Sequence, residues 1–440
     1  MKELKNILIS NTDPNFFDKL VKRFLAMAGM AYWGVGIFHS KNRQKVVDIL
    51  GAVAKDGDEA VSEYTEKFDG VKLTPQQFRI SSEDLKKAHT EIDKELLSSI
   101  KKAIANVRSY QKKIFIGTAK NISGSAGIKY TPIKRVGICV PGASAPLPST
   151  VIMTAVPAQV AGVKEIAVVS PPRYNGSIHP VILAVCYELG INEVYRIGGV
   201  QAVAALADGT DTIKSVDMIV GPGNQWVQTA KRLVFGQVKI DSLAGPSEVL
   251  IIADDSANPA WIAADMLSQA EHAPGSALLF TNSRALANKV SKELTSQLNT
   301  LNRADETLAC LKDYSVIAVF SNMDEVIKWA NKSAIEHLQI QCGKKSRQIA
   351  SKIENAGAIF IGEYSPVATG DYFAGPSHTL PTGGSTRFSS ALTSNDFIKS
   401  TSIIEYDKKR LVKSAGDIIR LAEAEGLDAH AKSVKIRIGN

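Results

Sequence analysis

The sequence predicts an α/β protein with two consecutive Rossmann-like parallel-sheet units, a helical region before them and a helical tail after them. Three observations carry this. Across 136–220, and again across 248–362, short apolar runs of strand length alternate with segments of helical period, the texture of parallel sheets covered by helices. Glycines follow several of the strands, at Gly142, at Gly198-Gly199 and at Gly221-Pro222-Gly223. The length, 440 residues, exceeds what one core organises.

Residues 1–45 read as an N-terminal arm with little pattern. The apolar stretch 24–38 carries three glycines and is too short to span a bilayer, so it is expected to pack against another domain or a second subunit. Helical period begins at 46, with Val46, Val47, Leu50, Val53, Ala60, Val61 and Tyr64 toward one side; Gly51 and Gly57 break it. Ser81-Ser82 followed by Glu83-Asp84 is a helix start, and 83–112 reads as one long helix or two joined ones. This helical region, 46–130, is expected to pack on the second α/β unit. In the first unit, 131–245, strands are predicted at 136–140, 165–170, 193–197 and 216–220, with helices at 180–189, 200–206 and from about 225. In the second, 246–386, strands are predicted at 248–253, 277–281, 315–320, 337–341 and 358–362, with helices at 259–271, 284–298, 324–331 and 346–354. The similar length and pattern point to a duplicated fold, without a residue-level repeat. The tail, 387–440, reads as mostly helical and Lys-rich.

Composition is that of a soluble globular protein, 45% hydrophobic and 22% charged. The net charge of +8 is spread over places such as Lys86-Lys87, Lys101-Lys102 and Lys408-Lys409-Arg410, with no basic run interleaved with aromatics. A solvated surface is expected, with neither a nucleic-acid nor a membrane partner. Cys139, Cys186, Cys310 and Cys342 form no C-x-x-C pair and sit in or beside apolar runs, as reduced, buried thiols of a cytoplasmic protein do. The opening Met1-Lys2-Glu3-Leu4-Lys5 does not read as a secretory signal.

The candidate chemistry is scattered. Gln269 and His272 stand three apart near a helix end and share a side. Glu336-His337, Asp371, His378, Glu425 and His430 follow. Nitrogen and oxygen donors without thiolate suit an open catalytic Zn2+-type site, and an adjacent Glu-His pair offers two proton-transfer groups. Each has a plainer reading: a helix-capping His at 272, a turn residue at 371, loop or surface His at 378 and 430, a helix C-terminus at 425. Adjacent residues on a strand also point to opposite faces, which separates Glu336 from His337. The strand-end glycines can be tight turns or a close approach for phosphate; the G-x-G-x-x-G fingerprint is absent.

Nine segments in one order resolve this. They are 57–70 (GDEAVSEYTEKFDG), 135–150 (RVGICVPGASAPLPST), 198–205, 221–224, 244–253 (AGPSEVLIIA), 267–272 (LSQAEH), 336–338, 365–382 (SPVATGDYFAGPSHTLPT) and 423–430 (EAEGLDAH). From about residue 46 to its end the chain resembles the histidinol dehydrogenase family. The resemblance implies the zinc- and NAD+-dependent oxidation of L-histidinol to L-histidine through L-histidinal, the last two steps of histidine biosynthesis. It implies Gln269, His272, Asp371 and His430 as ligands of one Zn2+ per subunit, and Glu336 and His337 as the catalytic pair. Ser247, His378 and Glu425 become substrate contacts, joined by Gln269, His272, His337, Asp371 and His430. Gln201 and Asn224 become NAD+ contacts, with Cys139 at the cofactor position where the family usually has Tyr. NAD+ then falls to 131–245, metal and catalysis to 246–386, and dimerisation to 387–440. The implied assembly is a homodimer with shared sites, each receiving Glu425 and His430 from its neighbour. Further departures are Ala143 for a usual Gly and Ile335 for a usual Pro. Two other readings remain at this point: a related zinc- and NAD-dependent alcohol dehydrogenase acting on another small polyol or sulfonate, and a catalytically silent binding or structural protein. Retention of His378 and Glu425 opposes the first, and the complete ligand and catalytic sets oppose the second.

Overall fold

The computed structural model describes residue 4 and residues 7–22, 41–118, 120–123, 125–142, 146–272 and 274–439. The apolar stretch 24–38 and Ala143 lie outside the described residues. The chain divides into two compact units, one of Met1–Phe115 with Ile133–Phe397, the other of Ile116–Pro132 with Ile398–Asn440.

Along the chain the strands are β1 (Leu8–Ser10), β2 (Lys120–Ser123), β3 (Ala126–Pro132), β4 (Arg135–Cys139), β5 (Glu165–Val169), β6 (Glu193–Tyr195), β7 (Met218–Val220), β8 (Lys239–Ile240), β9 (Ser247–Ala253), β10 (Gly275–Thr281), β11 (Val316–Val319), β12 (Ile335–Gln341), β13 (Ala356–Ile361) and β14 (Ile398–Ile404). The larger unit holds two sheets, ordered β6-β5-β4-β7-β8 and β1-β11-β10-β9-β12-β13. Every pairing in both is parallel. Each sheet starts at an inner strand, β4 or β9, adds two strands on one side and then two on the other. The duplication read from texture is therefore a duplication of winding order, with β1 added at the edge of the second sheet. Each sheet has one reversal of strand order, at β4/β7 and at β9/β12, where such folds open a crevice.

The inner strands are buried along their whole length, as in β4, β10 and β12. Apolar residues on both faces are what a sheet covered by helices on each side requires. The helices of the 46–130 region, expected on the second unit, pack mainly on the first. Val46, Val53 and Val61 share one buried cluster with Tyr195, Val200, Val203 and Val227. The end of helix Lys94–Ile114 also reaches the segment beyond the second sheet, through Asn106 to Phe373 O and through Gln111 to Ser394.

Helix Pro148–Ala161 went unread in the sequence because it is apolar all round; eleven of its residues are buried and it shows no polar stripe to mark a period. Helix Ala304–Tyr314 and strand β1 were also missed. In the smaller unit, the tail expected to be mostly helical begins with a strand. β14 pairs antiparallel with β3, Ser400 opposite Tyr130, and β3 pairs with β2. Polar Lys399-Ser400-Thr401-Ser402 gives no apolar alternation, so only the distant partner makes it a strand. Helices Lys408–Ala424 and Asp428–Ile438 follow.

At the β4/β7 reversal a buried ion pair closes the strand-end loop. Lys231 Nζ lies 2.5 Å from Asp241 Oδ1 and donates to Gly221 O at 2.9 Å, while Gly221 N donates to Asp241 Oδ2 at 2.7 Å. Lys231 is wholly buried. Gly221 has φ of +108°, and a Cβ there would stand 2.2 Å from Cys139 O, so only glycine fits. Both of its peptide groups are thus held by one pair. Removing one partner leaves the other charge buried and alone. Lys231→Met should therefore cost about 3–5 kcal/mol of unfolding free energy, and adding Asp241→Leu should restore most of it. Urea unfolding checks this; equal stability of the single variant and the wild type would contradict it.

Candidate active site

The second sheet brings its polar groups together at the amino ends of its strands. β9 and β12 run side by side with His337 opposite Val249, which sets the peptide groups of Glu248 against the start of β12. Glu248 N donates to Glu336 Oε2 at 2.8 Å, and His337 Nδ1 lies 3.1 Å from Glu248 O. Strand alternation would part the two side chains, yet Glu336 Oε2 comes within 3.4 Å of His337 Nδ1, because both turn to the main chain of one neighbouring residue. A carbonyl oxygen only accepts, so Nδ1 carries the proton of that bond and Nε2 is the nitrogen left for chemistry. Nε2 is buried, makes no hydrogen bond, and lies 3.7 Å from Asp371 Oδ1.

Asp371, on the short helix Val367–Tyr372, is the anion among three imidazoles. Burial pushes its carboxyl up, but the nearby His337 imidazole foremost, then the charges of His378 and His272, more than offset this and hold it below the usual range. Burial pushes His337 down, and Glu336 foremost, then Asp371, outweighs it and carries His337 to about 10. Burial lowers His378 despite Asp371 beside it.

Gln269 and His272 end helix Pro259–Ala270, as the sequence placed them. Gln269 is 2% exposed with an unpartnered Nε2, and His272 is exposed. The end of a helix carries partial negative charge, which favours a cation. The chain turns directly into β10 here: a Cβ at Gly275 would lie 2.2 Å from Gln269 O and 3.4 Å from the His272 Cβ. An amide oxygen, an imidazole and a carboxylate fit a divalent ion with positions left open. Among the described residues, no three His, Cys, Asp or Glu stand together as a metal site; Gln269, His272 and Asp371 supply only two residues of those types. Ser247, half-buried, opens β9 next to Glu248. Glu425 and His430 belong to the smaller unit, both exposed, Glu425 capping helix Lys408–Ala424 and His430 in the last helix.

The cofactor candidates gather at the opposite, carboxyl ends of the first sheet. Gln201 is fully buried with neither amide atom hydrogen-bonded. Asn224 caps helix Gln225–Val234 by accepting from Trp226 N and Val227 N. Cys139 ends β4, and burial pushes its thiol up to about 12, which leaves it inert. Ser170 Oγ is buried and unpartnered beside Gly142. Open amide and hydroxyl groups at strand ends around glycines fit a dinucleotide.

Four participants were missed in the sequence. Lys231 and Asp241 are separated by ten residues with nothing local to pair them. Glu248 reads as one acid in an apolar strand. Asp265 reads as a helix-surface acid, yet its Oδ2 accepts from Gln339 Nε2 at 3.1 Å and from Gln341 Nε2 at 2.8 Å. His337, Gln339 and Gln341 share one face of β12, and Asp265 lies one turn before Gln269. Asp265 therefore ties the helix that ends at Gln269 and His272 to the strand that carries Glu336 and His337. Only strand alternation from 337 to 341 could have signalled it.

A family model, Histidinol dehydrogenase, matches residues 37–438. The chain is 47% identical over 399 residues to a histidinol dehydrogenase of Rhodopirellula baltica, covering 89% of this chain and 86% of that one. It is 45% identical over 402 residues to one of Geobacillus kaustophilus, covering 90% and 94%. A crystal structure of histidinol dehydrogenase from Elizabethkingia anophelis superposes with a TM-score of 0.88 at 33% identity, covering 98% of each chain.

Burial raises Asp265 to about 6 from 3.8, against the opposing donors Gln339 and Gln341. The folded value is above the unfolded one, so its contribution to stability is complete below about pH 4 and is lost as pH rises through about 6. Asp265→Asn should flatten that part of the stability profile. Urea midpoints between about pH 4 and 7 measure it, and parallel slopes for the two proteins would refute the assignment.

Proposed function

The chain belongs to the histidinol dehydrogenase family, oxidoreductases of histidine biosynthesis, and from that premise we propose that its site oxidises L-histidinol to L-histidine through L-histidinal with NAD+ and one Zn2+ per subunit. The observation that carries the reading is the peptide unit of Glu248, which fixes Glu336 and His337 together and leaves His337 Nε2 unpartnered beside Asp371. When bound, NAD+ supplies a hydride acceptor and zinc a Lewis acid that anchors the substrate.

His337 takes the hydroxyl proton through Nε2 in the first oxidation, with Nδ1 kept in place by Glu248 O. Because, against burial, Glu336 and Asp371 raise its proton affinity, the neutral base form grows as pH rises toward about 10 and the oxidation should quicken with it. Glu336, held through Oε2, has a second oxygen with which to activate the water that adds to the aldehyde. His337 then serves again as base for the second hydride transfer. Gln269, His272 and Asp371, with His430, would hold the zinc; Gln201 and Asn224, near Cys139, would hold NAD+. Ser247, His378 and Glu425 contact the substrate's polar groups. The linker between β8 and β9 is only residues 241–246, and Ala244 N donates to Gln228 Oε1 at 3.1 Å. That short tether keeps the carboxyl ends of the first sheet close to the amino ends of the second, which hydride transfer requires.

We place the protein as a cytoplasmic homodimer in which Glu425 and His430 complete the neighbour's site. The four cysteines are free and buried, in keeping with a reducing compartment. Among the described residues no helix is long and apolar enough to cross a membrane.

Following NADH against added L-histidinol tests the reaction. Two NADH should form per histidinol, a chelator should stop both, and Glu336→Gln should slow the second far more than the first. No NADH formation by zinc-loaded protein would overturn the reading. Sharing of the site is tested by complementation read as L-histidine formation: mixing Glu336→Gln and His430→Asn subunits, each impaired in completing the second oxidation, under exchange should return part of that activity, because one site of each heterodimer holds neither lesion. Proven exchange without recovery would exclude shared sites.

A further inference from the structure

Glu248 carries a side chain that the proposed reaction does not use. It is 3% exposed in an apolar strand, an expensive place for a carboxyl. Its two oxygens accept from Gly383 N, each at 3.2 Å. A second bond ties the same turn to the same strand entry, from Gly245 N to Thr382 Oγ1. Gly383 and Gly384 both adopt positive φ, +61° and +76°, so the chain reverses tightly at this point. The turn closes the segment that carries His378, whose near end is pinned where Ser377 Oγ donates to Met153 O at 2.9 Å.

We propose that Glu248 is a positioning residue for the reaction: its main chain fixes Glu336 and His337, and its carboxyl fixes the Thr382–Gly383 turn beyond His378, so that the catalytic pair and the substrate contact keep one geometry. The proposal rests on the reading of the site as a histidinol-oxidising one. Its electrostatics agree with the geometry. Burial foremost, then the Glu336 carboxylate, raises Glu248 to about 8, against the opposing Gly383 N–H and His337. At neutral pH the side chain is therefore a neutral acceptor of the Gly383 bond and adds no second anion beside Glu336. A buried polar link of this kind holds neighbouring groups to one arrangement, and displacements of about 1 Å at such sites cost about 100-fold in rate.

The test uses full-length, zinc-loaded enzyme. Glu248→Ala should lower kcat/KM for L-histidinol by about 100-fold and raise its KM, with the KM for NAD+ held within about twofold. Glu248→Gln, neutral and still able to accept from Gly383 N, should recover most of that loss. Thr382→Val, which releases the turn from its other tie, should raise the KM for L-histidinol in the same sense; it carries the test with Glu248→Gln if the alanine variant does not fold. The inference is overturned if Glu248→Ala matches the wild type, if Glu248→Gln is as impaired as the alanine variant, or if the KM values for both substrates rise together. With Glu248→Ala unfolded, a Glu248→Gln activity far below wild type or an unchanged KM in Thr382→Val overturns it. If the wild type itself forms no NADH from L-histidinol, the functional reading has failed instead.

Discussion

The register of β9 against β12 is the constraint on which the site depends. With His337 opposite Val249, one peptide unit of β9 receives both Glu336 and His337. A slip of one residue would turn His337 to the other face of the sheet and offer its imidazole to the opposite helix layer. The register is protected by burial: β9 from Glu248 onward and all of β12 are buried, so a slip would also displace Val249, Ile251, Leu338 and Ile340 from their layers. Close packing at the strand starts adds to this. A Cβ at Gly357 on β13 would lie 2.6 Å from Glu336 O, and one at Gly275 2.2 Å from Gln269 O. Only glycine fits at either position, so the strand starts pack main chain against main chain.

The two sheets repeat one winding order but use opposite ends. In the first, the unpartnered groups of Gln201 and Ser170 lie past the carboxyl ends, the usual place for a ligand in an open parallel sheet. In the second, Ser247, Glu336 and His337 lie at the amino ends. The difference follows from connectivity. Leaving β8, the chain enters β9 after six residues, 241–246, so a carboxyl end of one sheet must lie near an amino end of the next. A duplicated fold joined by so short a linker therefore sets the open polar groups at the carboxyl ends of the first sheet near the polar groups at the amino ends of the second.

The α/β alternation, its near-repeat and most strand positions were legible because period and turn chemistry are local. Helix Pro148–Ala161 was not, since an all-apolar helix has no stripe to read, and β14 was not, since its polar residues acquire strand character only from β3. At the site, Gln269 and His272 were legible as a helix-end pair. The meeting of Glu336 with His337 was not: adjacency on a strand argues against it, and the residue that overrides alternation, Glu248, lies 88 positions away from Glu336. The packing of 46–130 on the first sheet was illegible for a similar reason, because its apolar stripe is equally suited to either sheet.

Several buried polar atoms among the described residues have no hydrogen-bond partner, and four of them belong to Gln201, Gln269 and His337. Buried polar groups are nearly always hydrogen-bonded, and an unmade bond costs roughly 1–3 kcal/mol. Gln201 Nε2 and Oε1, Gln269 Nε2 and His337 Nε2 are buried without a hydrogen bond, as are Thr65 Oγ1, Gln111 Nε2 and Thr150 Oγ1 elsewhere. The Gln269 main-chain oxygen packs against Gly275, and His337 Nδ1 is taken by Glu248 O. Of the three side chains, His337 is held at one atom and open at another, whereas both amide atoms of Gln201 are open. A fold selected for stability alone would satisfy both ends or replace the residue with an apolar one. A side chain fixed at one atom and open at the next is what a binding or proton-transfer site needs, and His337 has that arrangement.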